Sequence, residues 1–387
     1  MEPLKANHAR HLQGDFLSLS PAVWRASTVV FPSLDAFVSR KSRLYDGYTY
    51  GTTGTPTSRE LERAIAALEG ASHCVVAPSG QAAACLTLLA LVKQGDHLLI
   101  PDAVYGPVRT FAASQLAALG LDVEFYDPSI GENIAALVRP NTRVIWLESP
   151  CTITMEMQDV PAIARVAQAH GIVTVMDNTW ATPLNFAPLA HGVDIAIEAA
   201  TKFFSGHSDV LLGSISTNSD ALYRKLRELQ SVMGQAVSAE DAFLVLRGLQ
   251  TLCVRLKAQS ESAMQIAMWL SDHSMVEEIY FPALPSDAGH ALWARDFSGS
   301  GSLVSMVLRP ATQSAASAFF DNLQSFAIGA SWGGVHSLAA YYPAAEQAKR
   351  RFPRTLEPIV RLSIGLEPLE TLMEDLSAAL TRYQSHF

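Results

Sequence analysis

Short apolar runs alternate with helix-like segments through the middle of the chain, between residues 70 and 217. The helix-like segments, such as Gln81–Val92, Val108–Leu119 and Val160–Ala169, carry apolar residues at helical spacing. Strands that are covered on both faces read as nearly continuous apolar runs, so the alternation predicts an α/β fold with a mostly parallel sheet. The seven predicted strands are His73–Ala77, His97–Pro101, Val123–Tyr126, Val144–Leu147, Ile172–Met176, Asp194–Glu198 and Leu211–Ser216.

The pattern changes on both sides of this region. The N-terminal residues are irregular until Thr57–Glu60, which has the spacing of a capping box for a helix that ends at Gly70. The chain reads as helical again from Asp220 to about Asp272, and then as mixed α+β up to a final helix, Leu369–Tyr383. We therefore expect an N-terminal arm (1–56), a large α/β domain (57–250) and a smaller C-terminal α+β domain (251–387).

The composition narrows the class of protein. The 387 residues are 49% hydrophobic and 17% charged, which is typical of a globular protein. The net charge of −9 argues against nucleic acid as a partner, and no apolar stretch approaches the roughly 20 residues that span a bilayer. The cysteines lack C-x-x-C spacing and the N-terminus lacks a signal-peptide pattern, so we expect a reduced, cytoplasmic protein without a metal site.

Four loops follow predicted strands and carry residues with possible chemistry. In open α/β sheets, ligands bind beyond the carboxyl ends of the strands, so these loops are expected to converge on one edge. They are Pro78–Gln81, Asp102–Pro107, Asp177–Thr179 and Thr201–Lys202.

Two of these loops contain groups that suit an anionic or covalent ligand. Ser79, Gly80 and Gln81 open a helix whose first amides could hold a phosphate, although such a sequence is more often only a helix cap. Lys202 lies between an apolar strand and two phenylalanines. A lysine that loses solvent has a lowered pKa and can form a Schiff base, and the alternative is a surface lysine.

Three further residues have both a functional and a structural interpretation. Asp177 ends an apolar strand and either serves catalysis or caps a turn. Tyr105 either stacks on a flat ligand or packs beneath its loop. Arg361 lies within the apolar run Ile359–Ile364, where its charge needs an anionic partner, which is either a ligand or a structural carboxylate.

Taken together, the segments resemble the pyridoxal-phosphate enzymes of cysteine and methionine metabolism, over most of the chain. Within that family, Ile153–Glu156 and Ser331–Gly334 look most like the bacterial cystathionine β-lyases. The stretches that carry the resemblance are Tyr50–Gly51, Gly54–Thr57, Ala77–Gln81, Glu148–Pro150, Asp177–Thr179, Ala200–Lys202, Ser205–Asp209, Ser331–Gly334 and Val360–Glu367.

The resemblance implies a fold of the aspartate aminotransferase type (fold type I), pyridoxal 5'-phosphate as cofactor, and a role for each matching residue. Lys202 is expected to hold the cofactor and to act as acid and base. Asp177 is expected to pair with the pyridine nitrogen and Tyr105 to stack on the ring. The phosphate is assigned to Ser79, Gly80, Gln81 and Thr201, with Tyr50 reaching in from a neighbouring subunit. The substrate is assigned to Arg361, Ser331 and Trp332.

The sequence departs from the family pattern at a few positions. Thr52 and Thr53 stand where the family has one or two arginines, and Ala199 stands where a phosphate-binding serine is common. We expect Arg43 or Arg59 to compensate, or the cofactor to be held less tightly. His336 occupies a position that is often glutamate in related lyases.

The function implied by the resemblance is a carbon–sulfur β-lyase that cleaves cystathionine or a related cysteine thioether to a thiol, pyruvate and ammonia. The threonines at 52 and 53 leave open another reaction of the family, which is γ-elimination, γ-replacement or a specialised pathway step. A third hypothesis is a regulatory protein that uses the fold to bind a partner. The resemblance also implies a homo-oligomer, such as a tetramer built as a dimer of dimers, in which the N-terminal arm contacts the neighbouring subunit.

Overall fold

The computed structural model describes residues 11–13, 16–309 and 312–385. Its strands are β1 (His11–Gln13), β2 (Phe16–Ser18), β3 (His73–Ala77), β4 (His97–Pro101), β5 (Asp122–Tyr126), β6 (Thr142–Glu148), β7 (Val173–Asp177), β8 (Ile195–Glu198), β9 (Gly213–Thr217), β10 (Val276–Tyr280), β11 (Leu303–Leu308), β12 (Ala327–Ile328), β13 (Leu338–Tyr342) and β14 (Ile359–Ser363). Its α-helices are α1 (Leu34–Val38), α2 (Pro56–Glu69), α3 (Gly80–Leu91), α4 (Gly106–Phe111), α5 (Val160–Ala169), α6 (Thr182–Asn185), α7 (Asp220–Met233), α8 (Ala239–Leu249), α9 (Leu252–Ser271), α10 (His290–Asp296), α11 (Gln313–Phe320), α12 (Ala344–Gln347) and α13 (Leu369–Gln384).

The seven predicted strands form one sheet in the order β3-β9-β8-β7-β6-β4-β5. Neighbouring strands from β8 to β5 are parallel, and β9 alone runs opposite to both of its neighbours. The prediction of a mostly parallel seven-stranded sheet is therefore confirmed. A parallel register sets Glu148, at the end of β6, beside Asp177, at the end of β7.

Helices cover both faces of this sheet, as the continuous apolar strands require. On one face, Val75, Ile197 and Ile215 join buried residues of α3 and α7 in a single core cluster. On the other face, Val76 joins residues of α2 and α8, including the fully buried Leu61. Burial of one such side chain stabilises the fold by roughly 1.5–3 kcal/mol.

The N-cap of helix α2 lies two residues before Thr57, the N-cap of the predicted capping box. Thr55 is the N-cap: its hydroxyl accepts from the Ser58 amide, and its own amide donates to the Ser58 hydroxyl. Pro56 explains the difference, because proline fits the first helical position, where no amide donor is needed. The hydroxyl of Thr57 serves another purpose: it accepts from the Trp24 amide at 2.8 Å and donates to the Ala22 carbonyl, which fastens the N-terminal segment to α2.

The helical region after residue 219 consists of three helices, α7, α8 and α9, and leads into a second sheet. That sheet has five strands in the order β10-β11-β14-β13-β12, antiparallel except for β12 with β13. Residues of α9, α11 and α13, among them Phe319 of α11, form its core together with Phe281. In the described part of the chain, no helix is both long and apolar enough to cross a membrane.

Candidate active site

A cavity of about 290 Å³ opens beyond the carboxyl ends of the parallel strands. All four predicted loops contribute to its wall, so their expected convergence is observed. The sequence-predicted residues that line it are Ser79, Gly80, Gln81, Tyr105, Asp177, Thr201, Lys202 and Trp332.

Lys202 lies just after β8, with its amine directed to the segment before β13. The Nζ atom donates a hydrogen bond of 2.8 Å to the Ser331 hydroxyl and lies 5.4 Å from the centre of the Trp332 ring. Loss of solvent, followed by repulsion from Arg361, lowers the pKa of Lys202 to about 8, against the attraction of Asp177. A substantial fraction of this amine is therefore neutral, and hence nucleophilic, near pH 8.

Asp177 and Glu148 form an acidic pair at the ends of β7 and β6. Oδ1 of Asp177 accepts hydrogen bonds from the Thr179 amide and hydroxyl, at 3.1 and 2.6 Å. Burial raises the pKa of both carboxyl groups, and their mutual repulsion raises that of Glu148 further. Glu148 accepts a hydrogen bond of 2.8 Å from the Tyr105 amide, which fixes the loop that carries this aromatic ring.

The start of α3 forms a polar recess at one side of the cavity. Ser79 is the N-cap, and its hydroxyl accepts from the Ala82 amide at 3.0 Å. The first amides of a helix have no partner within the helix and attract anions. A Cβ atom on Gly80 would lie only 2.6 Å from the Cβ of Ala199, so the backbone approaches the sheet as only glycine allows.

Arg361 lies behind Ser331 on the central strand of the second sheet. It is 4% exposed, and its Nη2 donates to the carbonyl oxygens of Ala330, at 2.7 Å, and Ser331, at 3.2 Å. Its Nε is buried and has no partner among the described residues. Burial lowers the pKa of Arg361. The guanidinium thus holds the Ser331 backbone and keeps its Nε donor for a further acceptor.

Two of the residues assigned to the phosphate have other surroundings in the described chain. The hydroxyl of Thr201 donates to the Leu212 carbonyl at 3.1 Å and accepts from the Leu212 amide at 3.0 Å, although the residue lines the cavity. Tyr50 does not line this cavity, and 49% of its surface is exposed. Its position agrees with a role at another subunit's site, which stays a prediction.

The candidates for replacing the family's arginines do not reach the cavity of their own chain. Arg59 is buried, pairs with Glu62 at 3.0 Å and donates to two carbonyl groups, and neither it nor Arg43 lines the cavity. Thr53 is also buried, and its hydroxyl donates to the Tyr50 carbonyl at 2.9 Å. It therefore stabilises the local turn.

Sequence reasoning did not assign a site role to Glu148 or to the loop after it. The loop residues Thr152, Ile153 and Met155 line the cavity beside Glu148. The position of Glu148 at a strand end was the available signal, because it matches that of Asp177. His336, in contrast, is exposed, with its ring 3.8 Å from Glu367. No cluster of metal-ligating residues occurs in residues 11–13, 16–309 and 312–385.

Comparison with known proteins places this site in a family. The family model for Cys/Met metabolism PLP-dependent enzymes matches residues 4–381. The cystathionine beta-lyase of Salmonella typhimurium is 40% identical over 375 residues, which are 94% of each chain, and that of Bordetella avium is 40% identical over 92% of this chain and 91% of its own. The crystal structure of cystathionine gamma synthase from Xanthomonas oryzae pv. oryzae, in complex with aminoacrylate and cysteine, matches with a TM-score of 0.87 and 32% identity, over 96% of this chain and 95% of that one.

The chain therefore belongs to the pyridoxal-phosphate-dependent enzymes of cysteine and methionine metabolism. It has the fold of that class and depends on that cofactor, so the expected family, fold type and cofactor are confirmed.

The residues in the cavity fit the cofactor. The recess at Gly80 is narrow enough to exclude any side chain and faces the amides of a helix start, which suits a phosphate. Lys202 supplies a partly desolvated amine for an aldehyde, and Asp177 supplies a buried carboxyl group for a protonated ring nitrogen.

Proposed function

We propose that this enzyme is a carbon–sulfur β-lyase that acts on a cysteine thioether. With water, the thioether yields a thiol, pyruvate and ammonium, and no oxidant or reductant is required. The observation that carries the proposal is the position of the Lys202 amine. It donates a hydrogen bond to the Ser331 hydroxyl and lies over the Trp332 ring, and Arg361 donates to the Ser331 carbonyl. The names of the 40% identical relatives support the same reaction.

Lys202 would hold the cofactor and move the protons. Bound pyridoxal phosphate withdraws electron density from the substrate's Cα, which makes the α-proton acidic. The Lys202 amine would take this proton and then deliver a proton to the departing sulfur. Its lowered pKa suits both steps, because neutral and charged forms are both populated near pH 8.

Asp177, Tyr105 and the start of α3 would hold the cofactor in place. Asp177 would keep a proton on the pyridine nitrogen, and the two hydrogen bonds from Thr179 fix the direction of its carboxyl group. Tyr105 would lie against the ring, supported through its amide by Glu148. Ser79, Gly80 and Gln81 would bind the phosphate, with the hydroxyl of Thr201 contributing through its remaining lone pair.

Arg361 would bind the substrate's α-carboxylate. Its unpartnered Nε and its charge supply a charge-assisted hydrogen bond, which is stronger than a neutral one. Ser331, whose hydroxyl accepts from Lys202, and Trp332 would border the substrate's Cα and Cβ. This arrangement would set the carboxylate on one side of the lysine amine and leave the sulfur on the other.

The active enzyme would be a homo-oligomer, built as a dimer of dimers, in which the N-terminal arm (1–56) contacts a neighbour. The arm carries an unusual number of exposed apolar side chains, which favours burial against another subunit. These are Leu19, Val23, Trp24, Val30, Leu34, Phe37, Val38 and Tyr50. In such an assembly, Tyr50 would reach the neighbour's phosphate, which agrees with its absence from its own cavity.

Product identification with purified, cofactor-loaded enzyme tests the proposal. S-Propyl-L-cysteine and L-cystathionine are supplied separately, and keto acids are identified by mass spectrometry. Pyruvate with the matching thiol supports β-elimination. Production of 2-oxobutyrate from cystathionine would instead establish γ-elimination, the second candidate, which a 37% identical relative named cystathionine gamma-lyase favours. Absence of any keto acid would overturn the lyase proposal.

A further inference from the structure

We propose that Arg255 and Gln259, one turn apart on α9, are positioning residues that hold the Lys202 amine at the Ser331 hydroxyl. Arg255 acts on the turn that carries Lys202, and Gln259 acts on the segment that carries Ser331. Neither residue lines the cavity, so neither is assigned to the cofactor or the substrate. The inference rests on the proposed role of Lys202 and concerns how that amine is held in place.

The two side chains lie on one face of α9, inside the subunit. Residues four positions apart on a helix project in nearly the same direction. Arg255 is 5% exposed and Gln259 is fully buried. Their contacts are therefore made within one chain, whatever a neighbouring subunit adds to the open side of the cavity.

Arg255 joins the turn that carries Lys202 to two helices. Its Nη1 donates to the carbonyl of Phe203, the residue after the lysine, at 2.9 Å. Its Nη2 donates to the Gly248 carbonyl in α8 at 2.8 Å, and its Nε donates to the Thr251 hydroxyl at the start of α9 at 3.0 Å. One guanidinium group thus fixes the backbone beside Lys202 relative to α8 and α9.

Two glycines leave the space that the guanidinium occupies. Gly206 has φ +72°, and a Cβ atom added to it would overlap Nη1 of Arg255. A Cβ atom added to Gly248 would overlap the Phe204 carbonyl oxygen. The Gly206 amide also donates to the Lys202 carbonyl at 2.8 Å, which closes the turn. The turn after the lysine is therefore shaped around the arginine.

The charge of Arg255 does not favour folding by itself. Among the described residues its hydrogen-bond partners are all neutral, and loss of solvent lowers its pKa to about 10. Burial of an ion is costly, and apolar side chains of similar volume often serve stability as well or better. What arginine offers over an apolar residue is a rigid array of donors that reaches two backbone segments at once.

Gln259 holds the other side of the contact. Its Nε2 donates to the Gly334 carbonyl at 2.7 Å and to the Ile364 carbonyl at 2.9 Å. Gly334 lies three residues after Ser331, and Ile364 directly follows β14, the strand that carries Arg361. The side-chain amide therefore fastens the Ser331 segment to the central strand of the second sheet.

Together the two side chains control a contact between distant parts of the chain. The Lys202 amine and the Ser331 hydroxyl are 2.8 Å apart, although the residues are separated by 129 positions. Proton transfer needs heavy atoms within about 2.6–3.2 Å of each other, and a misplacement of about 1 Å can lower a rate by about 100-fold. Movement of either segment would therefore slow the reaction.

The first experiment measures keto-acid release from L-cystathionine by the cofactor-loaded Arg255→Met enzyme. Methionine keeps an unbranched side chain but removes every donor. We expect kcat to fall by about 10- to 100-fold with KM changed by about twofold or less, because Arg255 acts on the lysine and not on the substrate. Arg247→Met, at an exposed position of α8, is the matched control and should keep the wild-type kcat.

Arg255→Lys separates positioning from folding. Lysine keeps the charge and one donor group, so this variant should recover part of the lost kcat. It takes the place of Arg255→Met in the comparison if the methionine variant does not fold. A fall in Tm with wild-type kcat in Arg255→Met, or in Arg255→Lys where only that variant folds, would show a purely structural role and overturn the inference.

A double-mutant cycle tests whether Gln259 acts through Ser331. Gln259→Met and Ser331→Ala are made separately and together, and kcat is measured for each enzyme. If Gln259 positions the Ser331 hydroxyl, its substitution should cost less once that hydroxyl is gone, so the two effects on kcat are not multiplicative. Gln168→Met, exposed on α5, is the control and should have no effect in either background. Multiplicative effects would overturn the role given to Gln259.

The last experiment needs no turnover. In the cofactor-free full chain, a loosened turn should admit water to Lys202, whose pKa would rise from about 8 towards the ordinary 10.5. The rate of covalent capture of pyridoxal phosphate, followed by stopped-flow absorbance, should then level off at a higher pH in Arg255→Met than in wild type or Arg247→Met. An unshifted profile would overturn the inference and leave the β-lyase proposal intact. Absence of capture at Lys202 in the wild-type protein would overturn the proposed role of that lysine and the inference with it.

Discussion

A Cβ atom added to Gly333 would lie 3.0 Å from the Cβ of Lys202 and 3.1 Å from the amide nitrogen of Phe203. Gly333 also has φ +81°, in the left-handed region. The segment that carries Ser331 and Trp332 therefore approaches the lysine so closely that an added side chain would have to displace it by a few tenths of an ångström. This contact sets how far the Lys202 amine lies from its partners.

Gly333→Ala should displace the lysine as well as strain the backbone. We expect the left-handed conformation alone to cost about 1 kcal/mol of folding free energy, with further loss from the contact at 3.0 Å. Urea unfolding measures the stability, and kcat reports the displacement of Lys202.

Gly70→Ala is the matched control for this substitution. Gly70 has nearly the same conformation, with φ +64°, but nothing within 4 Å of its added Cβ. It should share the loss from backbone strain and keep the wild-type kcat. Equal kcat in both variants would contradict the role given to the Gly333–Lys202 contact.

The second prediction concerns the pH dependence of cofactor capture. The pKa of Lys202 is lowered to about 8, so its neutral amine predominates above that pH, whereas an ordinary lysine would need a pH above 10.5. The rate at which the cofactor-free protein forms its coloured covalent adduct with pyridoxal phosphate should rise with pH and level off above about 8.

Stopped-flow absorbance measures that rate, and two variants identify the lysine that reacts. In Lys202→Ala, borohydride reduction should trap no adduct at this site, and mass spectrometry should detect none. Lys257→Ala should behave as wild type, because the Lys257 side chain is 72% exposed. A rate that keeps rising up to pH 10 would show that the reacting lysine is not desolvated as the structure implies.

The third prediction concerns Arg361→Lys. Lysine ends in a single ammonium group. It cannot donate hydrogen bonds to the Ala330 and Ser331 carbonyl groups and also offer two parallel N–H groups to a carboxylate. Loss of one charge-assisted hydrogen bond, worth about 1.5–3 kcal/mol, should lower kcat/KM by roughly 10- to 100-fold, mainly through KM. Arg309→Lys is the control, because Arg309 forms an exposed pair with Glu277. An unchanged KM in a folded Arg361→Lys enzyme would remove Arg361 from substrate binding.

The sequence predicted the parts of this site that depend on local pattern. Lys202 and Asp177 follow apolar strands of a parallel sheet, and strand ends meet at one edge whatever the details of packing. Contacts between distant segments could not be predicted in this way. The bond from Arg350 to Thr154 joins residues 196 positions apart, and no periodicity encodes it. The N-cap at Thr55 was misplaced because the effect of Pro56 outweighs the capping-box spacing.

The last prediction concerns Glu69, a buried carboxyl group behind the sheet. It is 3% exposed, and neither of its oxygens has a partner among the described residues. The groups that face it are Glu198, which is 1% exposed with a pKa well above its ordinary value, and the Cys74 thiol, whose pKa is also raised. Loss of solvent raises the pKa of Glu69 to about 8.

A carboxyl group with a raised pKa in the folded state binds its proton more tightly there than in the unfolded chain. Its favourable contribution is therefore complete below pH 4.5 and is lost as the pH rises to about 8. Glu69→Gln, which stays neutral, should remove this loss, so its urea midpoint should exceed that of wild type by a margin that grows between pH 5 and pH 8. Glu132→Gln, at an exposed position, should keep the wild-type profile. Parallel profiles for Glu69→Gln and wild type would mean that Glu69 is charged in the folded protein and is stabilised by a partner.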